Sequence, residues 1–110
     1  MKLKIGEQEI PVTWEDNASV DALKAMLPLT IDLSMYGGFE QVGSLGQRIV
    51  RSDVQMTTKP GDIVLYSGDQ IVLFYGSNTW SYTKLGTAAL SESELQTLLG
   101  SGNVQITLSE

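Results

Sequence analysis

The 110-residue chain predicts a mainly β, antiparallel domain with two short helices. Three observations carry that expectation. Two dense apolar runs, Ile63–Tyr66 and Ile71–Tyr75, are split by the turn Ser67-Gly68-Asp69, and strands so closely joined must be antiparallel. Period-2 alternation of apolar and polar residues recurs along much of the remaining chain. Two short segments carry helix-start and helix-stop residues instead.

In chain order, Leu3 and Ile5 alternate with Lys2 and Lys4, as in a half-buried strand. Gly6-Glu7-Gln8 turns the chain, and Ile10, Val12 and Trp14 share one face of a returning strand. Pro11 lacks an N–H and suits an edge or an outward-facing position. Asp16-Asn17 offers an N-cap to a helix over Ala18–Leu27, with Val20, Leu23 and Leu27 on one face and Pro28 as its stop. Leu29, Ile31, Leu33 and Met35 form the next alternating strand, which breaks at Gly37-Gly38 and returns through Phe39–Gly43.

Ser44–Lys59 reads as a long surface loop with one short strand near Arg48–Arg51. The apolar pair then continues into a third strand, Trp80–Leu85, completing a β-meander. Ser91-Glu92-Ser93-Glu94 is a capping box that opens a helix over Glu92–Leu99. Leu95, Leu98 and Leu99 face the core, and Gly100 ends the turn. Val104, Ile106 and Leu108 alternate along the last strand. Closing these strands into a barrel removes exposed edges, with the helices over its open ends.

Composition limits function more than it defines it. The chain fits one domain, and 42% hydrophobic residues suffice for one core. A net charge of −6 lacks the basic footprint that neutralises phosphates, so no nucleic-acid partner is expected. No apolar run approaches a membrane span. No signal-peptide hydrophobic region stands at Met1–Ile5; a cytoplasmic protein and an exported, processed one both fit. With no cysteine and no histidine, the chain has no thiolate nucleophile, imidazole base or Cys/His metal ligand. No metal or cofactor is expected, and no catalytic residue is assigned.

The order of elements resembles a known group. A hairpin leads to a helix ending in Met26-Leu27-Pro28, and a strand runs into Tyr36-Gly37-Gly38. Gly61-Asp62-Ile63-Val64-Leu65-Tyr66, Val72-Leu73-Phe74-Tyr75 and Ser81-Tyr82-Thr83-Lys84-Leu85-Gly86 follow, and Leu99-Gly100-Ser101-Gly102-Asn103-Val104 closes the chain. This set, covering Leu3 to Leu108, resembles the small bacterial cyclophilin-like proteins. The resemblance implies a closed antiparallel barrel capped by two helices. It does not carry over prolyl isomerase activity. Cyclophilins present an arginine in a Phe-His-Arg motif, a glutamine near a Gly-Gly-Asp run, an aromatic floor and a histidine. The corresponding stretch here is Thr30-Ile31-Asp32-Leu33-Ser34, without arginine, and neither a Gly-Gly-Asp run nor a histidine occurs.

Candidate site residues are the aromatics Tyr36, Phe39, Tyr75, Trp80 and Tyr82, with Arg48. Rings with polar tips make contact surfaces for a peptide segment or small ligand, and ordinary strand packing is the competing reading. Arg48 or Arg51 folded over those rings would clamp a carbonyl; otherwise both are solvated loop charges. Asp62 and Asp69 fit turn positions, and Asp32 and Glu40 would flank a groove as an acid/base pair only if the fold brought them together, which the sequence does not fix. The expected function is non-catalytic binding of a peptide or small ligand. A weak prolyl isomerase and a structural or assembly module are the alternatives. Oligomeric state is open.

Overall fold

A computed structural model describes all 110 residues. Eleven strands and two helices build two antiparallel sheets. In the smaller sheet, β1 (Lys2–Ile5) lies between β2 (Gln8–Ile10) and β11 (Gln105–Ser109), and β4 (Leu29–Asp32) flanks β11. The larger sheet has the order β3 (Val12–Trp14), β10 (Thr79–Ala88), β8 (Asp62–Tyr66), β9 (Gln70–Phe74), β6 (Glu40–Ser44), β5 (Ser34–Tyr36). A further strand, β7 (Val54–Thr57), pairs with the first half of β10.

The main core lies between the sheets. Leu3, Ile5, Ile31, Ile106 and Leu108 come from the smaller sheet, and Ile63, Leu65, Ile71, Leu73 and Leu85 from the larger. Val20 and Leu23 of α1 (Ala18–Lys24) and Leu95 and Leu99 of α2 (Glu92–Leu99) join the same core. Each helix is capped as its sequence predicts. Asn17 Oδ1 accepts the Val20 N–H at 2.9 Å, while its amide donates to the Lys84 carbonyl at 2.9 Å and ties α1 to β10. At α2, Ser91 Oγ accepts the Glu94 N–H at 3.1 Å and Glu94 Oε1 accepts the Ser91 N–H at 3.0 Å, the reciprocal capping box.

The single closed barrel is corrected to two sheets that share corners. Two segments run from one sheet into the other: β2 into β3 across Pro11, and β4 into β5 across Leu33. Both ladders are interrupted there. Pro11 has no N–H to give, and its carbonyl accepts from Ala89 at 2.8 Å. The buried Leu33 donates its N–H to the Val104 carbonyl at 2.8 Å, outside any ladder. Such corners let twisted sheets pack across one another. The second corner also explains Gly43, where a Cβ would stand 2.5 Å from the Asp32 carbonyl oxygen.

Three local expectations also change. The first helix ends at Lys24 rather than Leu27. Met26 and Leu27 instead make tight bonds back to Leu23 and Lys24, because Pro28 draws the residue before it out of helical geometry. The strand in the long loop is Val54–Thr57, not Arg48–Arg51. Around Arg48–Arg51 the backbone bonds to isolated partners: Ile49 N–H to Gly68 O at 2.8 Å, and Val50 O from Ser19 Oγ at 2.6 Å. Finally, the three central strands are not a meander. β8 and β9 form the expected hairpin, but β10 pairs with β8 on its other side. The link after β9 forms no hairpin because β6 occupies the other edge of β9 along all of Gln70–Phe74; the chain leaves that edge with Gly76 N–H bonded to Phe39 O at 2.9 Å and Asn78 bound to Thr58 through both its N–H and its carbonyl.

One buried polar residue holds the larger sheet to the turn after α2. Gln41, fully buried, donates to Leu99 O at 2.8 Å and Gly102 O at 2.6 Å and accepts the Val104 N–H at 3.4 Å.

Leu73→Ala opens a cavity in the main core and is expected to cost about 2–5 kcal/mol. Ser91→Ala removes one exposed cap and is expected to cost about 1 kcal/mol. Urea denaturation of both variants checks the order; a larger loss at Ser91 would contradict the placing of the core.

Candidate functional site

The larger sheet carries a second apolar cluster on its outer face. Alternation sends Ile63, Leu65, Ile71 and Leu73 into the main core and turns Val64, Val72 and Phe74 outward, where they pack with Tyr82. Phe39, Val42 and Met56 pack against this group. Phe39 lies parallel to Phe74 with ring centroids 6.4 Å apart and meets Tyr36 edge-on at 6.3 Å. Tyr82 meets Phe74 and Tyr66 edge-on at 5.7 and 6.0 Å. The tight turn that presents Tyr36 and Phe39 has both central residues, Gly37 and Gly38, at positive φ, which glycine adopts without steric cost.

Above this floor lies an open cleft of about 380 Å³ lined by Tyr36, Glu40, Val42, Tyr66, Gln70, Asn78, Trp80 and Tyr82. Its volume is within the small-ligand range of roughly 300–1,000 Å³. Tyr36 and Trp80 form exposed walls, at 65% and 56% exposure. Tyr82 is buried, and its hydroxyl accepts from Asn78 Nδ2 at 2.8 Å. Burial pushes the Tyr82 phenol above its ordinary range, partly offset by the Asn78 bond.

Glu40 is the chemically distinct residue of the cleft. It is 7% exposed, and it stands opposite Tyr36 on one side and Phe74 on the other. The two ion pairs of the fold are Arg51–Asp53 and Lys84–Asp62, each at 3.6 Å, so no cation neutralises Glu40. No hydrogen bond holds its carboxylate either, and burial alone raises its pKa from 4.5 to about 7. Asp62 shows the contrast: also buried, it accepts the Lys59 N–H at 3.0 Å and meets Lys84.

The structure brings together only some of the residues singled out in the sequence. Tyr36, Trp80 and Tyr82 line the cleft, and Phe39 supports it from beside Phe74. Tyr75 points to the opposite side of β9, into the main core, where its hydroxyl is without a partner. Arg48 does not line the cleft; its Nη1 donates to Ser67 O at 3.3 Å. Arg51 pairs with Asp53, which also accepts from Thr83 at 2.7 Å. Asp32 is exposed and accepts from Gln105 at 2.8 Å, so it makes no pair with Glu40. Sequence reasoning undervalued Glu40 and missed Val42, Tyr66, Gln70 and Asn78. The available signal was alternation: Glu40 shares a strand face with Val42, beside an apolar hairpin.

No group of three or more His, Cys, Asp or Glu side chains converges on one point. No helix is long and apolar enough to cross a membrane.

Fold and site together define a mainly β domain of two antiparallel sheets and two helices, with an aromatic-walled cleft on the outer face of the larger sheet. The chain belongs to the Cyclophilin-like family, whose model matches residues 3–109. No curated protein and no solved structure matches it.

The Glu40 carboxyl titrates near 7 when folded and near 4.5 when unfolded. Between those values the folded state binds the extra proton, so the stability it contributes is full below about pH 4.5 and is lost as the pH rises through about 7. Glu40→Gln is therefore expected to gain on the wild type across that window and to exceed it at pH 8, by up to about 3 kcal/mol at roughly 1.4 kcal/mol per unit. Urea denaturation of both proteins at several pH values measures the difference. A difference independent of pH would show that Glu40 is not the titrating group.

Proposed function

We propose that this domain binds a small ligand or a peptide segment in the outer cleft, without catalysing a reaction on it. The observation that carries this reading is the cleft itself: about 380 Å³ walled by Tyr36, Trp80 and Tyr82 over a packed aromatic floor. Aromatic rings with polar edges supply large contact area at low conformational cost. The floor is rigid because Phe39, Phe74 and Tyr82 are packed against one another and against Val64 and Val72. A ligand therefore meets a largely preformed surface.

A prolyl isomerase needs a preorganised donor over the bound amide to stabilise its twisted state. No arginine or lysine lines this cleft, and Arg48 and Arg51 are engaged with Ser67 and Asp53. What remains in the cleft is aromatic surface, the neutral amides of Gln70 and Asn78, tyrosine hydroxyls and the Glu40 carboxyl, with no cationic donor, which suits binding.

Trp80 reports on the cleft if the other tryptophan, Trp14, is replaced by phenylalanine. Titration of the Trp14→Phe protein with a fragment set and proline-containing peptides is expected to yield ligands that shift Trp80 emission. Tyr36→Ala in that background should weaken them tenfold or more with little change in unfolding midpoint. Ligands whose amide shifts map away from the cleft would overturn the reading. A proline-isomerisation assay is expected to run at the uncatalysed rate; robust activity abolished by Arg48→Ala or Arg51→Ala would establish an enzyme instead. Concentration-dependent self-association that buries Trp80 would mark the face as an assembly contact.

A further inference from the structure

Resting on the cleft as the ligand site, we infer that the group it receives is a primary ammonium, held between the Glu40 carboxylate and the faces of Tyr36, Trp80 and Tyr82. Four observations converge on that chemistry.

Glu40 is more than nine-tenths buried and lines the cleft, yet the protein provides it with neither a cation nor a hydrogen-bond donor. Its carboxylate opens only into the cleft, where partial loss of water disfavours the charge, and a ligand that brings the missing cation offsets that loss. The walls are aromatic, and ring faces attract cations, most strongly those of tryptophan. No lysine or arginine lines the cleft to compete for either feature. The net charge of −6 draws cations toward the molecule and repels anions.

The polar groups favour a primary over a quaternary ammonium. A primary ammonium has three N–H donors, and Glu40, the Gln70 amide oxygen and the tyrosine hydroxyls supply acceptors in the same cleft. A quaternary ammonium would leave them unsatisfied. The opposite occupant, a carbonyl or carboxylate accepting a proton from neutral Glu40, is distinguished by the sign of its pH dependence. The other groups facing Glu40 are the phenols of Tyr36 on β5, Tyr66 on β8 and Tyr82 on β10, with the apolar Phe74 on β9, so no second carboxylate and no cation shares the cleft with it. A cation binds more tightly as Glu40 ionises, and an acceptor binds less tightly.

The test is an NMR titration of the wild-type protein at pH 5.5 and pH 8. The probes are n-butylammonium, a terminally capped Gly-Lys-Gly peptide, and their neutral counterparts n-butanol and the Nε-acetylated peptide. The expected result is that both cations shift cleft amides and bind tenfold or more tightly at pH 8 than at pH 5.5, as ionisation of Glu40 requires. Glu40→Gln, close in shape, should remove that pH dependence and weaken both cations at least tenfold while keeping the wild-type amide spectrum elsewhere. Trp80→Leu, at a wall position outside the core, should weaken the cations more than the neutral probes. The two cations separate the source: a peptide bound ten times more tightly than n-butylammonium indicates a lysine side chain, and equal affinities indicate a free amine. Neutral probes binding as tightly as the cations would overturn the ammonium while leaving the cleft as a ligand site. Cation affinity falling as pH rises would overturn it in favour of an acceptor. If no probe moves a cleft resonance, the ammonium is excluded and the cleft reading is weakened with it.

Discussion

The fold depends on a hairpin buried on both of its faces. Along β8 and β9, Ile63, Leu65, Ile71 and Leu73 close the main core, and Val64, Val72 and Phe74 form the outer cluster. A slip of one residue would exchange the two sets and misfit both at once. The turn between the strands reinforces the register, with Ser67 and Gly68 both at positive φ. The same pair of strands thus closes the interior and makes the floor of the cleft. That is why a surface site in so small a domain has a floor as well packed as its core.

Features set by neighbouring residues were legible in the sequence, and features set by distant partners were not. The β8–β9 hairpin, the alternating strands and the capped starts of both helices follow from turn residues, spacing and side-chain chemistry a few positions apart. The partner of β10 does not. It is decided by β6, a strand distant in sequence that takes the other edge of β9 and leaves β10 only the free edge of β8. The division into two sheets likewise depends on ladders interrupted at Pro11 and Leu33, where the sequence shows only a proline and a leucine in regular alternation. Tyr36, Trp80 and Tyr82 could be selected as a surface group by their chemistry. Tyr75 was inseparable from them by composition and differs only in the side of its strand. Glu40 was obscured among 13 acidic residues because its isolation is created by Tyr36 and Phe74 across the ladder.

Glu40 and Gln41 show how one strand serves two environments. They are adjacent, both polar and both buried. Gln41 faces inward and finds partners at Leu99, Gly102 and Val104, so it fastens the turn after α2 to β6. Glu40 faces outward and finds none within the protein. Satisfied buried amides give a core a unique arrangement. A carboxyl that opens onto a cleft instead takes its properties from burial and from the rings beside it. Family membership describes the frame that holds such a group, and the chemistry of the group comes from this alternation.

The cleft wall has a different mechanical character from its floor. β10 runs for ten residues; in its second half Thr83, Lys84, Gly86 and Thr87 pair with β8, and Gly86, Thr87 and Ala88 pair with β3. Its first half pairs with β7 through four residue pairs, and most of the side chains on that ladder, including Val54, Thr57, Thr79 and Trp80, face solvent. Tyr82 and Met56 anchor this ladder to the outer cluster, but little apolar burial holds Thr79 and Trp80, so amide exchange there should be faster than in the doubly buried hairpin. The rim around Trp80 is thus less firmly held than the hairpin beneath it. Stiffness on this face of the domain therefore falls from floor to rim.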